Sequence, residues 1–230
     1  MNTNTLYIVS TPIGNLADIT FRALETLKRV DKIICEDTRT TKKLLNHYKI
    51  STPTISLYSH LKRKKSSKPM IRAEKIVRLL QEGKNLALVT DAGTPGISDP
   101  GNQIVKAALA KGFSVIPIPG VSALTALASV SGIDLAHFVF LGFPPHKKGR
   151  ETFFKEIKAL SYPVIYFESP HRLIKNLKLL QDLTLEKNII LGRELTKMFE
   201  EIARGDVKEI LTYFENNKEK IRGEIAIIIY

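Results

Sequence analysis

Residues 85–112, NLALVTDAGTPGISDPGNQIVKAALAKG, decide the fold expected for this chain. An apolar run at 85–90 predicts a strand, and the loop that follows contains three glycines and two prolines before a helical pattern ends at Gly112. Glycine permits a positive φ or a close approach to the backbone, and proline stiffens the turns between. The stretch therefore predicts a strand, a shaped loop and a helix, which is the repeating unit of an α/β fold.

Strand and helix patterns alternate on both sides of this stretch. Parallel strands need crossover helices, so the alternation predicts an α/β architecture with a mostly parallel sheet. The strand patterns lie at 6–10, 32–36, 85–90 and 113–118, and the helical patterns lie at 20–30, 38–48, 69–83, 101–112 and 122–132.

The second half of the chain has a different order of elements. A break falls at PIPGVS, residues 117–122, where two prolines and a glycine separate a strand from a helix. The sequence therefore predicts two α/β domains, residues 1–118 and 119–230. In the second, strands are predicted at 137–143, 163–169, 188–195 and 223–230, with a short one near 200–203, and helices near 150–160, 171–183 and 206–216.

Composition excludes several classes of protein. Cys35 is the only cysteine, so neither an internal disulfide nor a cysteine metal cluster is available, and the five histidines lack the spacing of metal ligands. We predict no metal. No apolar run approaches the roughly 18 residues of a membrane span, and the N-terminus lacks a signal-peptide core. We expect a cytoplasmic protein without a membrane partner.

The charge balance suggests a polyanionic partner. Lys and Arg number 35 against 23 Asp and Glu, a net charge of +12, and the excess is dense in HLKRKKSSKP, residues 60–69. The alternative is that these lysines only solvate the surface.

Four loops at predicted strand ends are candidates for a ligand site, because open α/β sheets bind ligands at the carboxyl ends of their strands. None contains a Walker A loop or a dinucleotide fingerprint, and the chain has no G-x-S-x-G elbow. The loops are STPIGNLAD (10–18), CEDTRT (35–40), TDAGTPGISDPG (90–101) and PIPGVSA (117–123).

Seven motifs in order resemble the ribosomal RNA small-subunit methyltransferase I family, within the tetrapyrrole methylase superfamily of class III S-adenosylmethionine enzymes. The resemblance implies two α/β domains with the cofactor in the cleft between them, and a homodimer. It also implies 2′-O-methylation of one cytidine in the decoding centre of 16S ribosomal RNA, with the small ribosomal subunit as the expected partner. The motifs are LYIVSTPIGNLADIT, CEDTRTTKKLL, VTDAGTPGISDPG, PIPGVSALTALASVSG, FLGFPP, FESPHRL and GRELTK.

The resemblance also implies which residues hold S-adenosylmethionine. Each group has a structural alternative: Ser122 as a helix N-cap, the 141–143 stretch as core, and 223–225 as part of a central strand. The implied contacts are Asp91, Ala92, Gly93, Thr94, Pro95, Ser98, Ser122, Ala123, Leu141, Gly142, Phe143, Gly223, Glu224 and Ile225.

A ribose hydroxyl that attacks a methyl group needs positioning and a group to accept its proton. The catalytic candidates are Glu36, Asp37, Arg39, Glu168 and His171, with Glu194 in GRELTK as a further acid. Salt bridges, helix caps or phosphate contacts are the alternative for these residues. The candidate RNA contacts are Lys62, Arg63, Lys64, Lys65, Lys147, Lys148, Arg172, Arg193 and Lys197.

Two other functions remain open at this point. One is a methyltransferase of the same superfamily that acts on a small tetrapyrrole-type molecule. The other is a noncatalytic RNA-binding assembly factor. The basic charge and the CEDTRT and GRELTK motifs favour an enzyme that acts on RNA.

Overall fold

The computed structural model describes residues 4–57, 69–99, 101–183 and 186–230, with only the backbone described for 69–72. The chain divides into two compact units, Met1–Ser122 (unit 1) and Ala123–Tyr230 (unit 2). Both units combine helices with a five-stranded sheet, which confirms the predicted α/β class. No helix in the described part of the chain is long and apolar enough to cross a bilayer.

Unit 1 alternates strands and helices around a sheet that is parallel throughout, as the sequence pattern predicted. The strand order is β3-β2-β4-β1-β5. The elements are β1 (Thr5–Val9), α1 (Phe21–Arg29), β2 (Lys32–Cys35), α2 (Thr38–His47), β3 (Thr54–Ser56), α3 (Pro69–Gln81), β4 (Leu86–Leu88), α4 (Asn102–Leu109) and β5 (Ser114–Ile118).

Helices cover both faces of this sheet, so its central strands β1, β2 and β4 are largely buried on both sides. Val9, Ile33 and Ala87 pack in a core with Leu27 of α1. Side chains on the opposite face pack in a second core with Leu80 of α3. A strand buried on two faces reads as a continuous apolar run, which explains why these strands were recognisable in the sequence.

Unit 2 holds a mixed sheet of order β6-β7-β10-β8-β9, in which only β6 and β7 pair in parallel. The mostly parallel arrangement therefore does not extend to this unit. The short connection between β8 and β9 forces an antiparallel pair, and β10 inserts antiparallel between β7 and β8. The elements are α5 (Ala123–Ser129), β6 (Val139–Phe140), α6 (Arg150–Ala159), β7 (Val164–Glu168), α7 (Leu173–Asp182), β8 (Asn188–Arg193), β9 (Glu201–Asp206), α8 (Val207–Asn216) and β10 (Ile225–Ile229).

A large apolar core forms under the sheet of unit 2. Phe154, Tyr166 and Phe214 are fully buried in it, and the aromatic ring of Phe154 lies edge-on to that of Tyr166. Two charged groups on the core-facing side of the sheet are also enclosed, Glu168 and Arg193. Both belong to the motifs singled out in the sequence.

Candidate functional site at the strand ends

The carboxyl ends of β1, β2, β4 and β5 share one edge of the unit 1 sheet, because all of these strands run parallel. β4 lies between β2 and β1, so the glycine-rich loop that follows it, residues 89–101, has the other strand ends on both sides. Hydrogen bonds between backbone groups and hydroxyl side chains join these loops into one structure.

The backbone of the glycine-rich loop is anchored to the end of β1. The Thr11 N–H donates to the Gly93 carbonyl at 2.9 Å, and the Gly93 N–H donates in return to the Thr11 carbonyl at 3.0 Å. Gly93 has φ +82°, and a Cβ there would lie 3.4 Å from Ile13 Cγ2 and 3.7 Å from the Val121 carbonyl oxygen. A residue with a side chain would adopt this left-handed conformation at a cost of about 1–2 kcal/mol.

The Thr94 hydroxyl joins three loops. It donates at 3.2 Å to the carbonyl of Val121, in the loop that follows β5. It also lies 2.9 Å from Oγ of Ser10, in the loop that follows β1. Since the Thr94 proton is used on Val121, Ser10 must be the donor in the second bond. Gly120 fits closely against the same serine, because a Cβ at that position would lie 2.9 Å from Ser10 Cβ.

Asp99 holds the second half of the glycine-rich loop. Its carboxylate accepts from the Gly96 N–H and the Gly101 N–H, each at 2.7 Å. Ser98 sits at φ +62°, a conformation unusual for a residue other than glycine, and the side chains of Ile97 and Ser98 are exposed. The loop is thus internally fixed and presents its tip to water.

Acidic residues from the ends of β2 and β4 meet on one side of this loop. The Asp37 N–H donates to Asp91 Oδ1 at 3.1 Å, and the Thr90 hydroxyl donates to Glu36 Oε1. Asp37 caps α2 by accepting from the Arg39 N–H at 2.8 Å and pairs with the Arg39 guanidinium at 2.6 Å. A cap and an exposed ion pair therefore account for Asp37 and Arg39, as the structural alternative proposed.

The surroundings of Glu36 shift the pKa of its carboxyl group. Its pKa is raised, chiefly by burial and further by the negative charge of Asp91, while the hydrogen bond from Thr90 acts in the opposite direction. A carboxylate with a raised pKa is a stronger base. Of the catalytic candidates in unit 1, Glu36 is the one whose surroundings suit proton transfer.

The 141–143 stretch continues the sheet of unit 2 beyond β6. The Leu141 N–H donates to the Ile165 carbonyl at 3.0 Å, and the Phe167 N–H donates to the Gly142 carbonyl at 2.8 Å. Leu141 packs against the core of this unit. Phe143 is 51% exposed and its ring lies 5.4 Å from that of Phe167, so it is the side chain of this stretch that a ligand could contact.

Glu168 is enclosed at the end of β7. Its side chain has no exposed surface, and its carboxylate accepts from Asn176 Nδ2 at 2.5 Å and from the Ser169 N–H at 2.7 Å. Burial raises its pKa. A catalytic base must reach the substrate hydroxyl, so this burial argues against Glu168 in that role. His171, in the adjacent turn, is exposed.

Two arginines fix the basic loop at residues 144–149. Arg172 Nη1 donates to the carbonyl of residue 144 at 2.8 Å, and Arg150 Nε donates to that of residue 145 at 3.2 Å. Lys147 and Lys148 lie beyond these anchors and are exposed. Arg172 is thus mainly a support for the loop, while the two lysines are free to meet a phosphate from solvent.

Arg193 is buried, which corrects its expected use as an RNA contact. Its side chain is 6% exposed, and Nε donates to Glu201 Oε2 at 2.8 Å. The guanidinium has almost no surface to offer a phosphate. Although burial acts to raise the pKa of Glu201, hydrogen bonds from Lys220, Tyr213 and Arg193 outweigh it and lower that pKa to about 2.

Lys197 ties the GRELTK turn to the residues before β10. Its Nζ lies 2.6 Å from Glu194 Oε1 and 3.0 Å from Glu224 Oε2. Gly223 has φ +79°, and a Cβ there would lie within 2.0 Å of Glu194 Oε1, so only glycine fits. Ile225 is buried in β10 as part of the core. These contacts favour the structural alternative for the 223–225 stretch.

The basic residues Lys62, Arg63, Lys64 and Lys65 lie outside the described residues. Among the residues that the structure does describe, no group of three or more His, Cys, Asp or Glu side chains is arranged to hold a metal ion.

Residues 5–211 match the family described as Tetrapyrrole (Corrin/Porphyrin) Methylases. The chain belongs to the tetrapyrrole methylase family. This confirms the superfamily that the sequence motifs resembled, and it makes the chain a methyltransferase with a two-unit α/β fold.

Curated relatives within this family cover almost the whole chain. Ribosomal RNA small subunit methyltransferase I of Thermotoga maritima is 42% identical over 97% of this chain and 97% of its own length. Proteins of the same name from Bacillus subtilis and Borrelia garinii subsp. bavariensis are each 44% identical over 97% of this chain, and cover 74% and 97% of their own lengths.

Solved structures of the family share the fold at low identity. A cobalt precorrin-4 methyltransferase matches with a TM-score of 0.69 and 18% identity, covering 98% of this chain and 94% of that one. A uroporphyrin-III C-methyltransferase of Thermus thermophilus matches at 0.64 and 16%, with the same coverage. At this identity the likeness concerns the fold alone.

The sequence did not single out Ser10, Thr11, Thr90 or Val121 as site residues, although each bonds to the glycine-rich loop or to its acidic neighbour. Ser10 and Thr11 directly follow a strand, which was a usable signal. The roles of Thr90 and Val121 depend on hydrogen bonds across the sheet that no local pattern encodes.

Proposed function

We propose that this chain transfers a methyl group from S-adenosylmethionine to the ribose 2′-oxygen of a cytidine in the decoding centre of 16S ribosomal RNA. The observation that carries the proposal is the identity of 42–44% across nearly the whole chain to proteins named Ribosomal RNA small subunit methyltransferase I. We further propose that it acts in the cytoplasm, on the small ribosomal subunit, as a homodimer.

The strand-end edge of unit 1 has the chemistry that S-adenosylmethionine needs. Such a ligand requires backbone polar groups, small side chains and an acidic partner for its positive charges. Asp91 and Ala92 are exposed at the head of the glycine-rich loop, and Gly93, at φ +82°, allows the turn that follows them. We assign the donor to this loop, with Thr94 holding the loop in place and Ser122 at the neighbouring strand end.

When bound, S-adenosylmethionine supplies a methyl group on a positively charged sulfur. The 2′-oxygen of the ribose forms a bond to the methyl carbon as the carbon–sulfur bond breaks, the electron pair stays on sulfur, and the hydroxyl proton leaves. Positioning carries most of such a reaction. We propose Glu36 as the group that takes the proton, because it lies beside Asp91 and its pKa is raised by burial.

The acceptor side of the proposal is supported by charge. The net charge of +12 suits a polyanion, and Lys147 and Lys148 stand exposed on a loop whose backbone is fixed by Arg150 and Arg172. Contacts of this kind position RNA through its phosphates without reading its sequence.

A methyl-transfer assay with labelled S-adenosylmethionine tests the proposal. Small subunits from cells that lack this gene and free 16S RNA serve as alternative acceptors, and the labelled nucleoside is identified after digestion. Label in 2′-O-methylcytidine is the expected result. A Lys111→Ala variant, which changes an exposed lysine away from the strand-end edge, should retain full activity and serves as the control.

A tetrapyrrole acceptor tests the second candidate function, which the match of residues 5–211 to the family described as Tetrapyrrole (Corrin/Porphyrin) Methylases favours. Label in the tetrapyrrole and none in RNA would replace the proposed acceptor. RNA binding without methyl transfer to either acceptor would support the noncatalytic assembly factor instead.

A further inference from the structure

Two large apolar side chains stand side by side on the turn between β8 and β9. Met198 is 91% exposed and Phe199 is 55% exposed. Isolated exposed apolar residues are common and need no explanation. An adjacent pair at the tip of a turn is different, because it offers contact area that folding of this unit does not use.

A cation lies over the aromatic member of this pair. The guanidinium carbon of Arg222 is 5.2 Å from the centre of the Phe199 ring, within the range of a cation–π contact. Arg222 comes from the segment before β10, so a different part of the chain supplies it. A flat ring beside a flat, positively charged guanidinium is a combination that proteins use to stack unpaired nucleobases while attracting the RNA backbone.

The two halves of this surface are held together. The turn that carries Phe199 is joined to the segment that carries Arg222 by Lys197, which bonds to both Glu194 and Glu224. The Glu194 N–H also donates to the Glu224 carbonyl at 2.9 Å. The two chain segments that carry the ring and the guanidinium are thereby held together before a ligand arrives, which lowers the entropy cost of binding.

The turn itself is fixed in an uncommon backbone conformation. Glu194 and Thr196 have φ +50° and +68°, and neither is a glycine. Two hydrogen bonds hold this geometry: the Thr196 N–H donates to Glu200 Oε2 at 2.6 Å, and the Lys197 N–H donates to the Glu194 carbonyl at 3.0 Å. Such conformations persist where the surrounding structure determines them and are concentrated at ligand sites.

We infer that Phe199 and Arg222 form a stacking platform for one unpaired nucleobase of the RNA, with Met198 against the edge of the same base. The inference rests on the proposed RNA acceptor and adds a binding position to it. Neither residue takes part in methyl transfer. The platform holds the strand, and it therefore affects RNA affinity rather than donor affinity.

Substitutions at Phe199 test the stacking. Because a base stacked on an aromatic ring adds to RNA affinity, Phe199→Ala should weaken RNA binding by about 5- to 150-fold. The dissociation constant for S-adenosylmethionine should be unchanged. Phe199→Tyr keeps the flat ring and should bind RNA as the parent does. Phe199→Leu keeps apolar area without a ring and should resemble the alanine variant. Phe21→Ala, which removes an 89% exposed ring from unit 1, is the matched control and should have no effect.

The absence of tryptophan from the sequence allows a direct optical test. Phe199→Trp places the sole tryptophan at the platform, and a stacked base should quench its fluorescence. An RNA oligonucleotide that binds the parent protein should quench it, and the same oligonucleotide with an abasic site at the stacked position should not. Equal quenching by both, or none by either, would overturn the platform.

These results separate failure of the platform from failure of the proposed function. Methylation of RNA by the parent protein, together with unchanged RNA affinity in Phe199→Ala and Phe199→Leu, would overturn the platform and leave the function standing. If the parent protein neither binds nor methylates RNA, both fall. A change in sedimentation of Phe199→Ala without a change in RNA affinity would assign the pair to contact between protein copies and would also overturn the inference.

Discussion

Replacement of Gly93 by alanine tests whether the glycine-rich loop binds the methyl donor. Gly93 has φ +82°, where an alanine costs about 1–2 kcal/mol, and its Cβ would meet Ile13 Cγ2 at 3.4 Å, a tight contact to which the isoleucine must adjust. We expect the unfolding equilibrium to shift by about 5- to 30-fold toward the unfolded state. We also expect the affinity for S-adenosylmethionine to fall, because a methyl group against Ile13 and the Val121 carbonyl would displace the loop to which we assign the donor.

Gly112→Ala provides a matched control for the backbone cost. Gly112 has a similar φ of +76°, but a Cβ there would have no neighbour within 4 Å. Both variants should lose comparable stability in urea unfolding, and only Gly93→Ala should lose donor affinity in calorimetric titration. An equal loss of donor affinity in both variants, or none in Gly93→Ala, would refute the assignment of the donor to this loop.

Three further predictions address the loop anchor, the basic loop and the buried ion pair. Thr94→Val removes the hydroxyl that joins three loops, so we expect a loss of about 1–3 kcal/mol in urea unfolding and weaker donor binding; a stable variant with normal donor affinity would contradict this. The double variant Lys147→Ala, Lys148→Ala should bind RNA more weakly, and the slope of log Kobs against log salt concentration should become shallower by up to about 2, with donor affinity intact. An unchanged slope would count against phosphate contacts at these lysines. The pKa of Glu201 is lowered to about 2, so its contribution to stability is complete above about pH 4.3, the ordinary value for an unfolded glutamate, and is lost as the pH falls toward 2. Acid titration of Glu201→Gln should lack that component of the loss, and identical acid profiles for parent and variant would exclude it.

The sequence predicted the elements of unit 1 well because their signals are local. The central strands β1, β2 and β4 are largely buried and read as apolar runs, and the loops after β1, β4 and β5 carry glycine and proline. The short edge strand β3 is only partly buried. In unit 2, the direction of β10 was not predictable in this way. Its apolar run, GEIAIIIY, is compatible with either direction, and only its place between β7 and β8 determines the antiparallel pairing.

The site residues divide in the same manner. Gly93 and Asp91 were predicted as donor contacts because they belong to a motif in one stretch of chain. Glu168 and Arg193 were predicted from their motifs as a catalytic residue and an RNA contact, but their burial depends on packing that the motif does not contain. A charged residue in a motif gives the same sequence pattern whether it contacts a substrate phosphate or a neighbouring carboxylate.

The hydroxyl bond between Ser10 and Thr94 spans 84 positions of the chain, and the bond from Thr94 to Val121 closes the assembly. During synthesis the chain emerges from its N-terminus, so the glycine-rich loop lacks its last anchor until residue 121 has left the ribosome. Nascent chains that end before this point can form β1, β2 and β4 but have only Ser10 to hold Thr94. If the donor binds to this loop as proposed, its binding should require a chain that extends past residue 121, just after the last strand of the first sheet.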